Sequence, residues 1–257
     1  MDMTAAQRNE KALQGLTDLD GLLNRDASKH APDPSEDRRP FIIGWGLVAA
    51  LRRQAHAVAA LYELKLGHEA APNRRLMIEY MAQLHWLAED GGIAVDSMNK
   101  KFQNDHGKLH DSIETGGVFT YDAELAALAD EVKKTEIAAN PANTYNGTSH
   151  LLTRLGSGLD EVWRSETQHS HSGIPAARVF FDDSDESSVR LCANPRHGDL
   201  PNPDDLSPFM AFMLLFCGVE AFDKLMVDSP WCADLRKIGI RAGLIDPANE
   251  PDANDAA

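Results

Sequence analysis

The 257-residue chain is short of cysteine, of positive charge and of long apolar runs, and each shortage removes a class of protein. Its three cysteines, Cys192, Cys217 and Cys232, are odd in number, widely spaced and without a C-x-x-C pair. No disulfide framework or zinc knuckle follows, and the usage fits a reducing compartment, so a cytoplasmic location is expected. Lysine and arginine together number 25 against 40 aspartates and glutamates, a formal net charge of −15. Proteins that coat nucleic acid through phosphate contacts need a basic surface, which this balance excludes; a small local site remains compatible with it. The first residues, MDMTAAQRNEK, carry no apolar signal core. The longest apolar stretch, residues 209–219, is too short to cross a bilayer and is followed by Glu220, Asp223 and Lys224. It reads as a buried core helix, with no membrane partner expected. A G-x-S-x-G elbow and a P-loop are absent, and Leu155-Gly156-Ser157-Gly158 lacks the preceding strand of a dinucleotide fingerprint.

What the chain has instead is apolar residues at helical spacing, within a 43% hydrophobic composition able to bury a large core. Residues 4–24 read as an exposed amphipathic helix, and 25–40, with Pro32, Pro34 and Pro40 among charges, as a linker. From Phe41, Trp45, Val48, Leu51, Ala55, Ala59 and Tyr62 recur on one face through about residue 66. After Gly67 and Pro72 a second helix follows. Leu76, Tyr80, Leu84 and Leu87 line one face, and Met77, Met81 and Ala88 widen it, as suits a central helix. Gly91–Gly92 ends it. A more polar third helix is expected over 93–114, and a fourth over 119–139 with Leu125, Leu128 and Val132 inward. After the loop NPANTYNG, Ser149 caps a fifth helix running to about His171 despite Gly156 and Gly158. Ala177–Phe181 and Ser188–Cys192 lean toward β structure and flank the acidic turn DDSDES, which predicts a hairpin. Helices at about 206–227 and 231–243 follow, and the acidic tail 244–257 is expected to be disordered. The expected fold class is therefore all-α: a five-helix bundle, a small β-hairpin at about 177–192, and two further helices. The division is an N-terminal helix and linker over 1–40, a bundle domain over 41–243, and the tail.

Several candidate sites weigh toward bland readings. The basic pairs Arg38–Arg39, Arg52–Arg53, Arg74–Arg75, Lys100–Lys101 and Lys133–Lys134 read as solvated helix faces. His106, His110 and Glu114 share one face at zinc-ligand spacing, but the helix is polar and no fourth ligand is evident. Asp182, Asp183, Asp185 and Glu186 lack the alternation and the glycine of a calcium loop. Glu166-x-x-His169 matches half of the E-x-x-H pattern of di-iron bundles. Glu79 could add a ligand, but no second copy of the motif occurs. A metal-binding helical enzyme is thus a third reading.

The strongest constellation is Trp163-Arg164-Ser165-Glu166-Thr167-Gln168-His169-Ser170-His171. At about 100° per residue, Leu151, Leu152, Leu155, Leu159 and Val162 define an apolar face, with Arg164 nearly opposite it. His171 falls within about 20° of Arg164, whereas Glu166 and His169 fall on the apolar face. An outward arginine and histidine could grip a phosphodiester and move a proton. Metal-free RNA cleavage needs those two roles, because the 2′-hydroxyl supplies the nucleophile. An inward Glu166–His169 pair reads as a satisfied buried ion pair or hydrogen bond.

Arg164 and His171 form R-x6-H, and Arg164 and His169 form R-x4-H. The arrangement resembles the HEPN superfamily (higher eukaryotes and prokaryotes nucleotide-binding), whose ribonuclease members carry R-x(4–6)-H late in a helical bundle. It is closest to an uncharacterised bacterial HEPN-like helical family with an early Arg-x3-Glu and a late aromatic-Arg-x2-Ser-x3-His. Arg75 and Glu79 match the first element. Trp163-Arg164, Thr167 and His171 match the second, with Trp for Tyr and Thr for Ser, over roughly residues 41–175. Ser165 stands where many active members carry Asn, Asp or His. The resemblance implies a metal-independent, cofactor-free endoribonuclease, toxin- or defence-like. It would act as a homodimer, with an antitoxin-like protein as a further partner. Arg164 would bind phosphate and His171, or His169 in the shorter register, would transfer the proton. Arg75, Glu79, Glu166 and Thr167 would support them. A non-catalytic interaction or regulatory module on the same fold is the alternative.

Overall fold

The computed structural model describes residues 3–114, 140–156, 158–185, 188–197 and 202–247, with Ala127 standing alone. The expected helix over 119–139 and the end of the acidic tail lie outside the described residues. Among the described residues the protein is mainly helical, with one two-stranded antiparallel hairpin.

The first helix, α1 (Ala5–Leu23), opens with a reciprocal cap: Thr4 Oγ1 accepts the Gln7 N–H at 3.3 Å and Gln7 Oε1 accepts the Thr4 N–H at 3.0 Å. It is not the exposed helix expected. Ala12, Leu16, Leu19, Leu22 and Leu23 are buried, because their shared face covers two helices from the far end of the chain. In α2 (Arg39–Glu63), with Pro40 in its first turn, the buried stripe is Gly44, Val48, Leu51, Ala55 and Val58. Trp45, expected inward, is 37% exposed. The stripe is set by Gly44, where a Cβ would stand 2.7 Å from Leu225 Cδ1.

Helix α3 (Ala71–Asp90) starts with Pro72 in its first turn and ends at Gly91, whose φ of 53° suits glycine. It is central, as its wide apolar face predicts. Met77, Ile78, Met81, Leu84 and Leu87 are buried, and it packs on α2 and on later helices. Helix α4 (Gly92–Glu114) follows at once.

The single helix expected from Ser149 to His171 is two: α5 (Thr148–Leu155) and α6 (Leu159–Ser170). Gly156 at φ 131° and Gly158 at φ 91° hold conformations that interrupt an α-helix. Ser149 is not the cap; Gly147 holds that position. Ile174–Arg178 is a short helix, α7, with Pro175 in its first turn, so Ala177 and Arg178, expected to open the first strand, are helical instead. The hairpin is β1 (Phe181–Asp185) with β2 (Ser188–Leu191), pairing Phe181 with Leu191 and Asp182 with Arg190.

Helix α8 (Pro203–Asp223) carries the apolar run and packs against α1, α2, α3 and α9 (Cys232–Ala242). By length and composition Asp205–Asp223 could cross a membrane, but 61% of that window is buried within the protein. Phe212, Leu214, Leu215, Val219 and Phe222 form the middle of the core. Each contributes roughly 1.5–3 kcal/mol on burial. Asp223, 3% exposed, accepts the Trp231 N–H at 2.9 Å at the start of α9.

Candidate functional site

The residues of the Arg/His constellation and those expected to support it lie on α3 or on α6 and its cap. Helix α6 has no buried residue, so apolar burial alone does not fix it. Polar bonds to α3 do. Arg74, 4% exposed although its pair with Arg75 reads as a solvated face, forms a fork on Glu166. Its Nε donates to Oε1 at 2.8 Å and its Nη2 to Oε2 at 2.9 Å. Nη1 donates to the Gly67 carbonyl at 2.5 Å and to Ser207 Oγ at 2.9 Å. One guanidinium therefore ties α3, α6, α8 and the α2–α3 loop together.

One residue on, Arg75 Nη2 lies 2.9 Å from Glu79 Oε1, and Arg75 Nε donates to Thr167 Oγ1 at 3.1 Å. Trp163 Nε1 donates to Glu79 Oε1 at 2.8 Å, and the Arg75 guanidinium lies 5.5 Å from the Trp163 ring centre. Thr167 Oγ1 also donates to the Trp163 carbonyl at 2.7 Å. The four residues Arg75, Glu79, Trp163 and Thr167, picked from sequence as two separate motif elements, form one network. They set the rotation of α6, so Arg164 faces outward and Glu166 and His169 inward. The predicted phase holds within α6, though Gly156 and Gly158 break its link to Leu151 and Leu152.

On the outer flank, Arg164 Nε donates to Asp160 Oδ2 at 2.7 Å and Nη2 to Ser149 Oγ at 2.9 Å. The Arg164 side chain is 59% exposed. The hydrogen bond from Arg164 first, and then one from the Ser149 side chain to the same carboxyl, hold Asp160 below its ordinary range. His171 is exposed. It stands one residue past the helix, as its extended cap (φ −104°, ψ 143°), not within it as expected. Its N–H still bonds the Thr167 carbonyl at 3.2 Å, so its Cα stays on the helical path.

The inner flank borders a cavity of about 600 Å³ between α3, α6 and α8. His169 enters it and stacks edge-on with His68, ring centres 5.3 Å apart; His197 lies 5.5 Å from His68. Burial first, then His169, with smaller pushes from His197 and Arg74, lowers the His68 pKa; Glu69 opposes them. The Nδ1 of His169 is buried and makes no hydrogen bond. Arg164 and His169 thus lie on different flanks of α6 within one copy. His169 does not pair with Glu166 either, since Arg74 takes both carboxylate oxygens.

Sequence reasoning missed His68, His197, Ser207 and the buried state of Arg74. None carries a local signal: His68 sits in a loop, His197 follows the hairpin, and they meet only through tertiary packing. Among the described residues, no group of three or more His, Cys, Asp or Glu side chains is placed to hold a metal ion. Glu166 and Glu79, the candidate di-iron ligands, are bonded to Arg74 and to Arg75 with Trp163. His106 packs on Phe102, ring centres 4.4 Å apart; the side chains of His110 and Glu114 lie outside the described set.

The fold and the site define a helical protein in which one polar-anchored helix separates an exposed Arg/His edge from a histidine-lined cavity. Compared with models of known families, with curated proteins and with solved structures, the chain matches none.

Proposed function

We propose that the protein is a metal-independent endoribonuclease of HEPN type, acting as a homodimer through Arg164 and His171. The observation that carries the reading is the exposure of both side chains, Arg164 on α6 and His171 at its C-terminal cap, with the rotation of α6 locked by Arg75, Glu79, Trp163 and Thr167. In one copy this edge is open to water. A second copy facing it across a two-fold axis would double the guanidinium and imidazole groups around one phosphodiester.

The chemistry is then acid–base catalysis. One imidazole takes the 2′-hydroxyl proton as that oxygen attacks phosphorus, and the P–O5′ bond breaks. A second, protonated imidazole delivers a proton to O5′. The products are a 2′,3′-cyclic phosphate and a 5′-hydroxyl. Arg164 would exchange its bond to Asp160 for the non-bridging phosphate oxygens.

The test is incubation of the purified protein with RNA in EDTA, with product ends mapped. Wild type should cut, and Arg164→Ala and His171→Ala should each reduce the rate by roughly 10²–10⁴-fold while keeping the wild-type circular dichroism spectrum. Mixing the two inactive variants should restore part of the activity if the site spans two copies. Intact RNA with wild type, or full activity in either variant, overturns the reading. A non-catalytic helical interaction module then takes its place. One observation favours that second reading: Arg164 is already satisfied by Asp160 and Ser149.

A further inference from the structure

Beside the proposed nuclease edge, residues of α3, α4, α5 and the 3₁₀ turn Pro141–Asn146 line a further cleft, of about 410 Å³. That lies within the range of small-ligand sites, roughly 300–1,000 Å³. Two helical stripes face it. Arg75, Glu79 and Gln83 recur every fourth residue along α3, and Lys101, Phe102 and Asp105 share one face of α4. The charges on these stripes are matched in place. Arg75 Nη2 lies 2.9 Å from Glu79 Oε1, and Lys101 Nζ lies 2.6 Å from Asp105 Oδ2. A phosphate entering between them would meet two carboxylates as well as two cations. A neutral, polar ring meets no such opposition.

Two features of the cleft suit such a ring. The first is Phe102, which packs edge-on against His106 and is still 53% exposed, an aromatic surface open to water. The second is Asn146. Of the asparagines at 140, 143 and 146, the fold uses the first two. Asn140 Oδ1 accepts the Ala142 N–H at 2.9 Å, and Asn143 Oδ1 lies 2.9 Å from Ser97 Oγ. The Oδ1 of Asn146, which lines the cleft, is buried and makes no hydrogen bond. An unpaired buried acceptor costs stability, and a donor brought from outside would relieve that cost.

We propose that this cleft is a base subsite: it takes an unpaired nucleobase of single-stranded RNA, stacked on Phe102, with an N–H of the base donated to Asn146 Oδ1. Carboxamides read base edges in this way, and aromatic side chains hold splayed-out bases. Every base carries such an N–H, so the subsite selects an unpaired base rather than one sequence. Its place fits the nuclease edge. Thr148, in one wall, precedes Ser149, whose Oγ accepts from Arg164 Nη2 at 2.9 Å. Arg75, in another, donates to Thr167 Oγ1, and the Thr167 carbonyl accepts the His171 N–H. A nucleotide whose base fills the cleft would have its phosphate beside Arg164 and His171. The position of that phosphate rests on the nuclease reading; the binding of the base rests on the cleft.

The test uses 2′-O-methyl RNA, which has no free 2′-hydroxyl and so reads binding apart from cleavage. Two fluorescein-labelled octamers, one of adenine and one abasic throughout with the same phosphates, are titrated with the full chain and followed by anisotropy. Salt is kept at about 50 mM, where phosphate attraction is retained. The adenine octamer should bind at least about tenfold tighter than the abasic one, the scale of one stacked base. Phe102→Ala and Asn146→Ala should each weaken the adenine octamer about tenfold and leave the abasic one unchanged. Circular dichroism would show that both variants remain folded. Equal affinity of wild type for the two octamers, or a folded variant that binds the adenine octamer like wild type, overturns the subsite. If unmodified RNA is nonetheless cut, the nuclease reading survives that result. Base-dependent binding without cleavage does the reverse: the base site stands and the nuclease reading fails.

Discussion

The ion pair between Arg74 and Glu166 is the joint on which the site turns, and it makes a quantitative prediction. Arg74 is 5% exposed in its side chain and Glu166 13%, with two parallel N–H···O bonds of 2.8 and 2.9 Å between them. Replacing Glu166 by alanine leaves a buried guanidinium with only the Gly67 carbonyl and the Ser207 hydroxyl as partners. Removing one member of a buried pair costs about 3–5 kcal/mol, whereas an exposed pair contributes less than about 1 kcal/mol. The residual exposure of Glu166 admits some water, so about 3 kcal/mol is expected for Glu166→Ala. For a chain of this size, 1 kcal/mol moves Tm by roughly 2–4 °C, giving a fall of roughly 6–12 °C. The double variant Arg74→Met/Glu166→Met removes both charges together and should recover to within about 1–2 kcal/mol of wild type. Urea unfolding followed by far-UV circular dichroism at neutral pH measures all three chains. A loss below about 1 kcal/mol in Glu166→Ala, or a double variant no better than the single one, would refute the argument.

Two further predictions concern the scaffold. A Cβ at Gly218 would stand 2.4 Å from Leu51 Cδ2 and 3.1 Å from Leu84 Cδ1, so Gly218→Ala should push α8 off α2 and α3. A loss of about 1–3 kcal/mol in urea unfolding is expected, and an unchanged midpoint would show that the three helices do not meet so closely. Asp90 accepts from Arg154 at 2.6 and 2.8 Å and from Trp86 Nε1 at 2.9 Å. The Arg154 hydrogen bond, with a smaller push from Trp86, holds the Asp90 carboxyl below its ordinary value despite burial. The folded state therefore binds fewer protons than the unfolded one. The stabilisation is complete above the ordinary carboxyl value and is lost as pH falls through the folded value. Asp90→Asn should thus lower Tm at neutral pH, and the gap to wild type should close as pH drops below about 4. A gap that is constant with pH would mean the carboxylate contributes nothing as a charge.

Much of the helical framework was legible because each helix carries its own period. Pro72 and Gly91 bound α3, and the wide apolar face of α3 marks it as a helix covered on several sides. The hairpin was legible in kind but not in position. The run from Ala177 has β-forming side chains, yet Gly173 and Pro175 start a helical turn there and push the strand on to Phe181. Gly156 and Gly158 were read through as tolerated helix glycines. Their positive φ angles follow from how α5 and α6 each dock on α3, which no window of residues contains.

The candidate site divides in the same way. The sequence by itself determined that Arg164 and Glu166 leave α6 in different directions, because that depends only on the 3.6-residue turn. It also picked out Arg75, Glu79, Trp163 and Thr167, whose contacts then proved mutual. Tertiary structure alone decided that Arg74 is buried, since its partner Glu166 lies 92 residues away. It alone decided that α1 belongs to the core and that His68, His169 and His197 share a cavity. Periodicity reports which face of a helix seeks cover. Which segment supplies that cover, and which charges meet beneath it, depends on contacts between residues far apart in the chain, and those exist only in the folded protein.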